Sequence, residues 1–448
     1  MFAHQQMIES MWNGSLEVDC STIRIYPAVE DAESREYSGP GIIRAAGNSE
    51  EFQVKVFLME KYIDWFELSL SGSAMGKLYN LDARDVDGNR WMATGLRVFP
   101  RSETTVSTSM YQVTIVSEDS LYDCGEEYEV KLLLGYVDAF QPNKKGIDIW
   151  REYAKEFYFI ETPAIINING CEVQIMQDKQ KCLSMHVSST LPITESFVDH
   201  LVQSAQFVYG HALSRFAYSS NDPRAKTWSS VLQRYESVPW KTRPIFPPLD
   251  LRLGGEPEDF WRMFTAFLQY LCDQPTKGEA VRQNVWSVIR SWDASADAMG
   301  LTISVAIEGV LKHCFAEHGM IQDEFANDIA QFILCVESLP ISKRSKGRIK
   351  GVLPKPNKFN AREALGRLAE IDLFPENLVH EWVAVRNSRA HADTLGDTNI
   401  RSTYSRNYRI LQLFYYLVFA EIRYTGNYTD YSERGYREKV FDKTLSHG

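Results

Sequence analysis

Residues 301–318 read LTISVAIEGVLKHCFAEH, and this stretch sets the class of the C-terminal part. Ile303, Ile307, Val310, Leu311 and Cys314 recur at intervals of three and four. That spacing places them on one stripe of a helix with 3.6 residues per turn, whereas a half-buried strand would alternate. Neighbouring stretches carry the same period, giving expected helices at Glu258–Cys272, Glu279–Ala296, Leu301–His318, Asp323–Ser338, Ala361–Ile371, Pro375–His391 and Thr403–Tyr424. Pro375-Glu376 suits a helix start, where the free amides and the dipole favour a proline followed by an acid. Leu411, Phe414, Tyr415 and Val418 mark the buried face of the last helix. Helices in such succession make a bundle.

Upstream the period changes. Pro239, Pro244, Pro247, Pro248 and Pro257 exclude a long helix or central strand there, so a domain boundary is placed in this stretch. Thr194–Tyr218 is expected to be helical, with Phe197, Leu201, Ala205, Val208 and Ala212 on one side. Before it come short runs rich in β-branched and aromatic residues: Cys20–Tyr26, Glu51–Leu58, Tyr111–Ser117, Tyr128–Leu134, Glu156–Ile160 and Glu172–Met176. Gly39-Pro40-Gly41, Asp87-Gly88-Asn89 and Asn169-Gly170 are the expected turns between strands. The expected fold class is α+β. A β-rich N-terminal domain, a sandwich or curved sheet, covers 1–190. A helical connector and proline-rich linker covers 191–256, and an all-α helical bundle covers 257–448.

The chain of 448 residues, 44% hydrophobic, is long enough for two or three cores. Its net charge of −11 argues against indiscriminate nucleic-acid binding. The charge is uneven: residues 301–448 hold 20 Lys+Arg and 18 Asp+Glu, a net of +2, against 28 and 41, a net of −13, in the remainder. A nucleic-acid contact is therefore expected in the last third. The seven cysteines form no CxxC pair and are odd in number, which fits free thiols in a reducing cytoplasm. No apolar run approaches the roughly 20 residues of a membrane helix, and Met1–Ser15 lacks the apolar core of a secretory signal. A cytoplasmic protein without a membrane partner is expected.

Residues 381–393 read EWVAVRNSRAHAD. Metal-free RNA cleavage requires a base for the 2′-hydroxyl and an acid for the departing 5′-oxygen, and a histidine does either near neutral pH. The transition state adds negative charge to the phosphate, which a guanidinium meets with paired hydrogen bonds. Arg386 and His391 suit these two tasks, and Asn387 suits orientation of the histidine or of a phosphate oxygen. On a continuous helix Asn387 and His391 share a face, but Arg386 and His391 lie roughly 140° apart. Either the helix breaks near Ala390 or two copies meet across a two-fold axis. Lys343, Arg344, Lys346, Arg348, Lys350, Lys355, Lys358 and Arg362 run without an intervening acid, a loop and short helix able to track an RNA backbone. Glu308, among apolar residues, either lies under the site and pairs with Arg386 or His391 or is an exposed residue on the polar side. Tyr404 and Tyr408 are candidates for stacking a base, with core or surface packing as the plainer reading. The plainer alternative pairs Arg386 with Glu381 or Asp393 and leaves His391 at the surface.

The string Arg386-Asn387-Ser388-Arg389-Ala390-His391, late in a helical bundle, resembles the R-N-x-x-x-H motif of HEPN domains. A β-rich front followed by such a bundle resembles the ApeA-type HEPN proteins of bacterial antiphage defence. The resemblance implies an endoribonuclease that leaves 2′,3′-cyclic phosphate and 5′-hydroxyl ends. It also implies a homodimer with a composite site, transfer RNA as target, and a β-rich sensor answering a phage-derived trigger. It implies neither metal nor other cofactor. The alternative is a non-catalytic binding protein, with a ligand-binding β front and a dimerising bundle. Asp82, Asp85 and Asp87 before Gly88 resemble a calcium loop only loosely, since no glutamate follows at the required place, and a hairpin turn accounts for them better.

Overall fold

The computed structural model describes residues 5–12, 14–29, 36–46, 51–58, 78–102, 104–118, 125–137, 140–143, 162–177, 181–233, 245–320, 323–353, 359–390 and 400–443. The chain divides into two compact units: Met1–Val202 with Leu213–Lys241, and Gln203–Ala212 with Thr242–Gly448. The protein is mixed α+β, β-rich first and helical afterwards. No described helix is long and apolar enough to cross a membrane.

The first unit opens with α1 (Gln5–Trp12) and continues through β1 (Ser15–Pro27), β2 (Tyr37–Ala46), β3 (Phe52–Phe57), β4 (Tyr79–Asp85), β5 (Arg90–Ser102), β6 (Thr105–Met110), β7 (Gln112–Glu118), β8 (Tyr128–Tyr136), β9 (Ala164–Ile168), β10 (Cys171–Gln177) and β11 (Cys182–Ser189). Helix α2 (Glu195–Tyr209) follows, its residues from Gln203 on counted with the second unit, then β12 (Arg215–Asp222) and β13 (Thr227–Gln233). All the strand pairings described are antiparallel.

The expected sandwich or curved sheet is instead a closed barrel with an open extension. The order β4-β1-β2-β3-β6-β5 closes because β4 also pairs with β5. From β5 the sheet continues as β7-β13-β12-β8-β11-β10-β9. Strand β5 serves both parts because it bends. An extra residue at Thr94–Gly95 shifts its register against β4, and Gly95 sits at φ +71°, which a side chain would disfavour. Alternation fills the barrel: on β3, Phe52, Val54 and Val56 point in, and Gln53, Lys55 and Phe57 point out. Ile23, Ile25, Ile43, Trp91 and Val106 complete the core.

Of the expected turns, Asn169-Gly170 joins β9 to β10 with both residues at positive φ, as a tight two-residue hairpin requires. Gly39-Pro40-Gly41 is not a turn but lies inside β2. A Cβ at Gly39 would come within 2.0 Å of the Phe57 carbonyl oxygen, and one at Gly41 within 2.2 Å of that of Lys55. These glycines allow two strand backbones to approach closely. The expected helix Thr194–Tyr218 ends at Tyr209, and its last residues form part of β12. Phe197, Leu201, Ala205 and Val208 are buried, as their spacing predicts. The expected strand Glu156–Ile160 lies outside the described residues.

In the second unit come α3 (Pro257–Asp273), α4 (Pro275–Arg290), α5 (Ala296–Cys314), α6 (Asp323–Ser338), α7 (Lys343–Val352), α8 (Ala361–Glu370), α9 (Asn377–Ala390) and α10 (Ile400–Glu421). Proline opens both α3 and α4, where its missing N–H is no loss. Helix α5 starts before the stripe that reveals it, because the Ser295 side chain accepts from the Ala298 amide at 3.2 Å and caps it. The part expected to be all-α ends in a hairpin, β14 (Gly426–Thr429) with β15 (Glu438–Phe441). Its Phe441 ring lies 5.9 Å from that of Tyr416 and 5.5 Å from that of Phe419 on α10. Among the described residues Cys20, Cys171, Cys182, Cys272, Cys314 and Cys335 form no disulfide; Cys124 lies outside the described residues.

Asp85, buried at the β4–β5 turn, accepts from the Asp87 amide at 3.0 Å, the Asn89 amide at 2.8 Å, Asn89 Nδ2 at 2.8 Å and Trp91 Nε1 at 2.9 Å. Asp85→Ala leaves these donors without an acceptor, and chemical denaturation should show a loss of about 3 kcal/mol. Glu129 on β8 lies 3.2 Å from His186 Nε2 and 2.9 Å from Lys131 Nζ. The His186 hydrogen bond, then Lys131, hold its carboxyl down at about 2, against an ordinary 4.5. The stabilisation is therefore present above pH 4.5 and is lost as pH falls from there toward 2. Glu129→Gln should flatten this acid limb in thermal melts, leaving the variant less pH-sensitive than the wild type below pH 4.5.

Candidate active site around Arg386

Helices α5, α9 and α10 pack against one another. Trp382 and Arg386 are one turn apart on α9, and Ser304 and Glu308 are one turn apart on α5. The buried Trp382 indole donates to the Ser304 carbonyl at 3.3 Å, and Arg386 Nε donates to Glu308 Oε1. Both numbers rise together, so the two helices run in the same direction at this contact, joined by two rungs.

The Arg386 guanidinium is held from two sides. Glu308 takes one edge, and the Trp382 ring lies beneath, 5.8 Å from guanidinium carbon to ring centroid. The arginine side chain nevertheless stays 45% exposed. A cation fixed on a packed helix and open to solvent can meet an anion without reorganising. Glu381, the neighbour named above as an alternative partner, turns instead to α10, where it pairs with Arg409 and lies 3.7 Å from Arg406 Nε. Thus Arg386 has the partner expected in Glu308 rather than in its own helix.

Asn387 is exposed on the next position of α9. His391 and Asp393 lie outside the described residues. The structure therefore brings together Arg386 and Glu308 and bears on Asn387 only as a surface residue. Tyr408, a candidate for base stacking, belongs to an aromatic cluster. Its ring is 4.9 Å from Phe246, 6.1 Å from Trp292 and 6.3 Å from Tyr436, the packing role that was the plainer reading. Tyr404 lies 6.2 Å from Tyr408 and is half-buried.

The basic stretch is more regular than expected: residues 343–352 are a helix, with Ser342 capping by accepting from the Ser345 amide at 3.1 Å. Lys350 pairs with the Glu337 carboxylate and Lys346 donates to the Glu337 carbonyl, tying α7 to the end of α6. Lys343, Arg344 and Arg348 are exposed. Two of these cations occupy the first turn, where the helix dipole disfavours them and an anion is favoured. Lys355 and Lys358 lie outside the described residues. Among the described residues no group of three or more His, Cys, Asp or Glu is placed to hold a metal ion. Asp82, set aside as a metal ligand, pairs with Arg90 at 2.6 Å.

Sequence reasoning missed Trp382 as part of the site. Its signal was its position, four residues before Arg386 and so on the same face of the helix. Compared with family models, with curated proteins and with solved structures, the chain matches none.

The two rungs should separate in energy. Trp382→Ala should lose about 3–5 kcal/mol in urea unfolding, because it empties a buried ring site. Glu308→Gln, at a half-exposed ion pair, should change stability by less than about 1 kcal/mol.

Proposed function

We propose that the helical unit is a metal-independent endoribonuclease of the HEPN type, with Arg386, Asn387 and His391 as its reacting residues. The observation that carries this reading is the fixed, half-exposed guanidinium of Arg386, held by Glu308 and Trp382 at the start of the R-N-x-x-x-H string. Arg386 donates to the non-bridging oxygens of the scissile phosphate. His391 takes the proton of the 2′-hydroxyl or gives one to the departing 5′-oxygen. The O2′–P bond forms as the P–O5′ bond breaks, leaving a 2′,3′-cyclic phosphate and a 5′-hydroxyl. Glu308 is a positioning residue for Arg386, and Asn387 orients.

A homodimer belongs to the proposal: on one continuous helix Arg386 and His391 would diverge by roughly 140°, and of the two ways to bring them together, a break near Ala390 or a second copy, the resemblance implies the second. Leu301 and Val305, exposed and seven and three residues from Glu308 along one face of α5, supply apolar surface for a second copy to cover. The cations of α7, Lys343, Arg344, Lys346, Arg348 and Lys350, are proposed to track the RNA backbone. Transfer RNA as target, a phage-derived trigger sensed by the β-rich unit, and a defence role in the cytoplasm follow from the resemblance to ApeA-type proteins.

The test incubates wild type, Arg386→Ala and His391→Ala with total RNA in EDTA and analyses the ends of the fragments. Wild type should cut and leave cyclic phosphates, and each variant should fall by at least about 100-fold. Equal cleavage by all three, or cleavage abolished by EDTA, would remove this reading.

A further inference from the structure

The outer face of the barrel carries a groove that the nuclease proposal does not use. Strand β6 forms its floor. Val106, Thr108 and Met110 point into the barrel, and the short side chains of Ser107 and Ser109 point out. On one side, β3 sets Gln53 opposite Ser109 and Lys55 opposite Ser107. On the other, β5 sets Arg97 opposite Ser109 and Phe99 opposite Ser107. Long side chains therefore wall a floor of serines. Arg44 on β2, opposite Gln53, and Arg101 on β5 extend the two walls. The space between them is about 1430 Å³.

Its composition is unlike the rest of the unit. The groove is lined by Arg44, Lys55, Arg97 and Arg101 against Glu17 and Glu51, a local excess of positive charge. Residues 1–300 as a whole are net −13. Among the described residues, neutral groups orient two of the cations, and Glu17 on β1 stands opposite Arg44. Arg44 donates to Gln53 Oε1 at 3.2 and 3.0 Å, and Arg101 to Ser107 Oγ at 2.9 Å. Lys55 Nζ lies 5.0 Å from the centroid of the Phe57 ring. Phe57 and Phe99 present their rings on opposite walls, 39% and 46% exposed. Large apolar rings at that exposure, interleaved with an excess of cations, match a ligand in which flat apolar faces alternate with anions.

We propose that this groove binds single-stranded nucleic acid, with bases stacked on Phe57 and Phe99 and phosphates along Arg44, Lys55, Arg97 and Arg101. Stacking on the rings needs unpaired bases, which a duplex does not offer. The acidic surroundings repel strands that do not enter the groove, so binding is confined to it. This site lies in the β-rich unit and stands whether or not the helical unit cuts RNA.

The experiment measures fluorescence anisotropy of full-length protein with labelled 12-nucleotide oligouridylate, oligodeoxythymidylate, a 12-base-pair duplex and a poly-glutamate peptide, from low to moderate salt. The Arg386→Ala background keeps the RNA intact. Single strands should bind, with the duplex at least about tenfold weaker. Phe99→Ala, and independently Phe57→Ala on the opposite wall, should weaken binding by about tenfold. Lys55→Glu with Arg97→Glu should abolish most of it and reduce the slope of log affinity against log salt by about 1.4. All these side chains are exposed, and an unchanged melting temperature would show that the fold is kept. Tighter RNA than DNA binding assigns RNA through its 2′-hydroxyl; equal binding assigns single strands of either sugar. The proposal is overturned if no oligonucleotide binds at 100-micromolar protein (about the weak end of non-specific affinity). It is likewise overturned if the wall variants bind like the parent, or if poly-glutamate binds as tightly and loses affinity only in the charge variants.

Discussion

Helix α10 has no solvent face from Ile410 to Glu421, and the second unit is arranged around that fact. A helix buried all round must find partners for every side, not for one stripe. Helices α5 and α9 supply two of them, and the β14–β15 hairpin supplies another through Phe441 and Tyr428. Three of the polar atoms carried inward are tied to particular neighbours. Gln412 accepts from the Tyr431 amide at 3.0 Å, the Tyr415 hydroxyl donates to the Phe246 carbonyl at 2.6 Å, and Glu421 accepts from the Tyr270 hydroxyl at 2.8 Å. Ring burial stabilises, at about 1.5–3 kcal/mol per ring, and these bonds decide which way round the partners sit.

That packing gives Arg386 its setting. Helix α9 is held to α10 by Glu381 with Arg409 and to α5 by Trp382 with Ser304. With both ties in place the Arg386 guanidinium has little freedom, although its surroundings are wet. Such fixing matters for charge stabilisation, because a group already in place requires no reorganisation when negative charge develops. The same arrangement explains why Glu308 is found among apolar residues: it stands at the edge of a buried stripe, where a carboxylate can reach a cation on the neighbouring helix while remaining partly hydrated.

In the first unit the comparable constraint is barrel closure. Closing a sheet of six strands forces tight curvature, met by the Thr94–Gly95 irregularity in β5 and by the glycines of β2, which let the chain pass close to β3. Closure also creates an outer face with its own chemistry. Once Val54, Val56, Val106 and Leu96 turn inward, the intervening residues have no choice but to face out. Cations and phenylalanines, separate in the chain, thereby become rows across β3, β6 and β5. A net acidic unit thus carries a positive groove that no count along the chain reveals.

Much of this was legible before any fold. The stripe of Ile303, Ile307, Val310, Leu311 and Cys314 and the alternation in FQVKVF are local signals, set by the geometry of one helix or one strand, and both structures follow them. Asn169-Gly170 named its own turn for the same reason. The pairing of Glu308 with Arg386 was among the expected outcomes, because both residue types invite a partner. What the chain alone determined was therefore the kind of element at each place and the residues able to do chemistry. Tertiary structure decided everything that depends on separations of tens of residues: that Gly39-Pro40-Gly41 is a close crossing rather than a turn, that the barrel closes through β4 and β5, that Tyr408 is packing material, and which acid holds Arg386. Local periodicity reports which side of an element is buried, but not against what. That choice is made by long-range packing, which the spacing of residues along one segment does not encode.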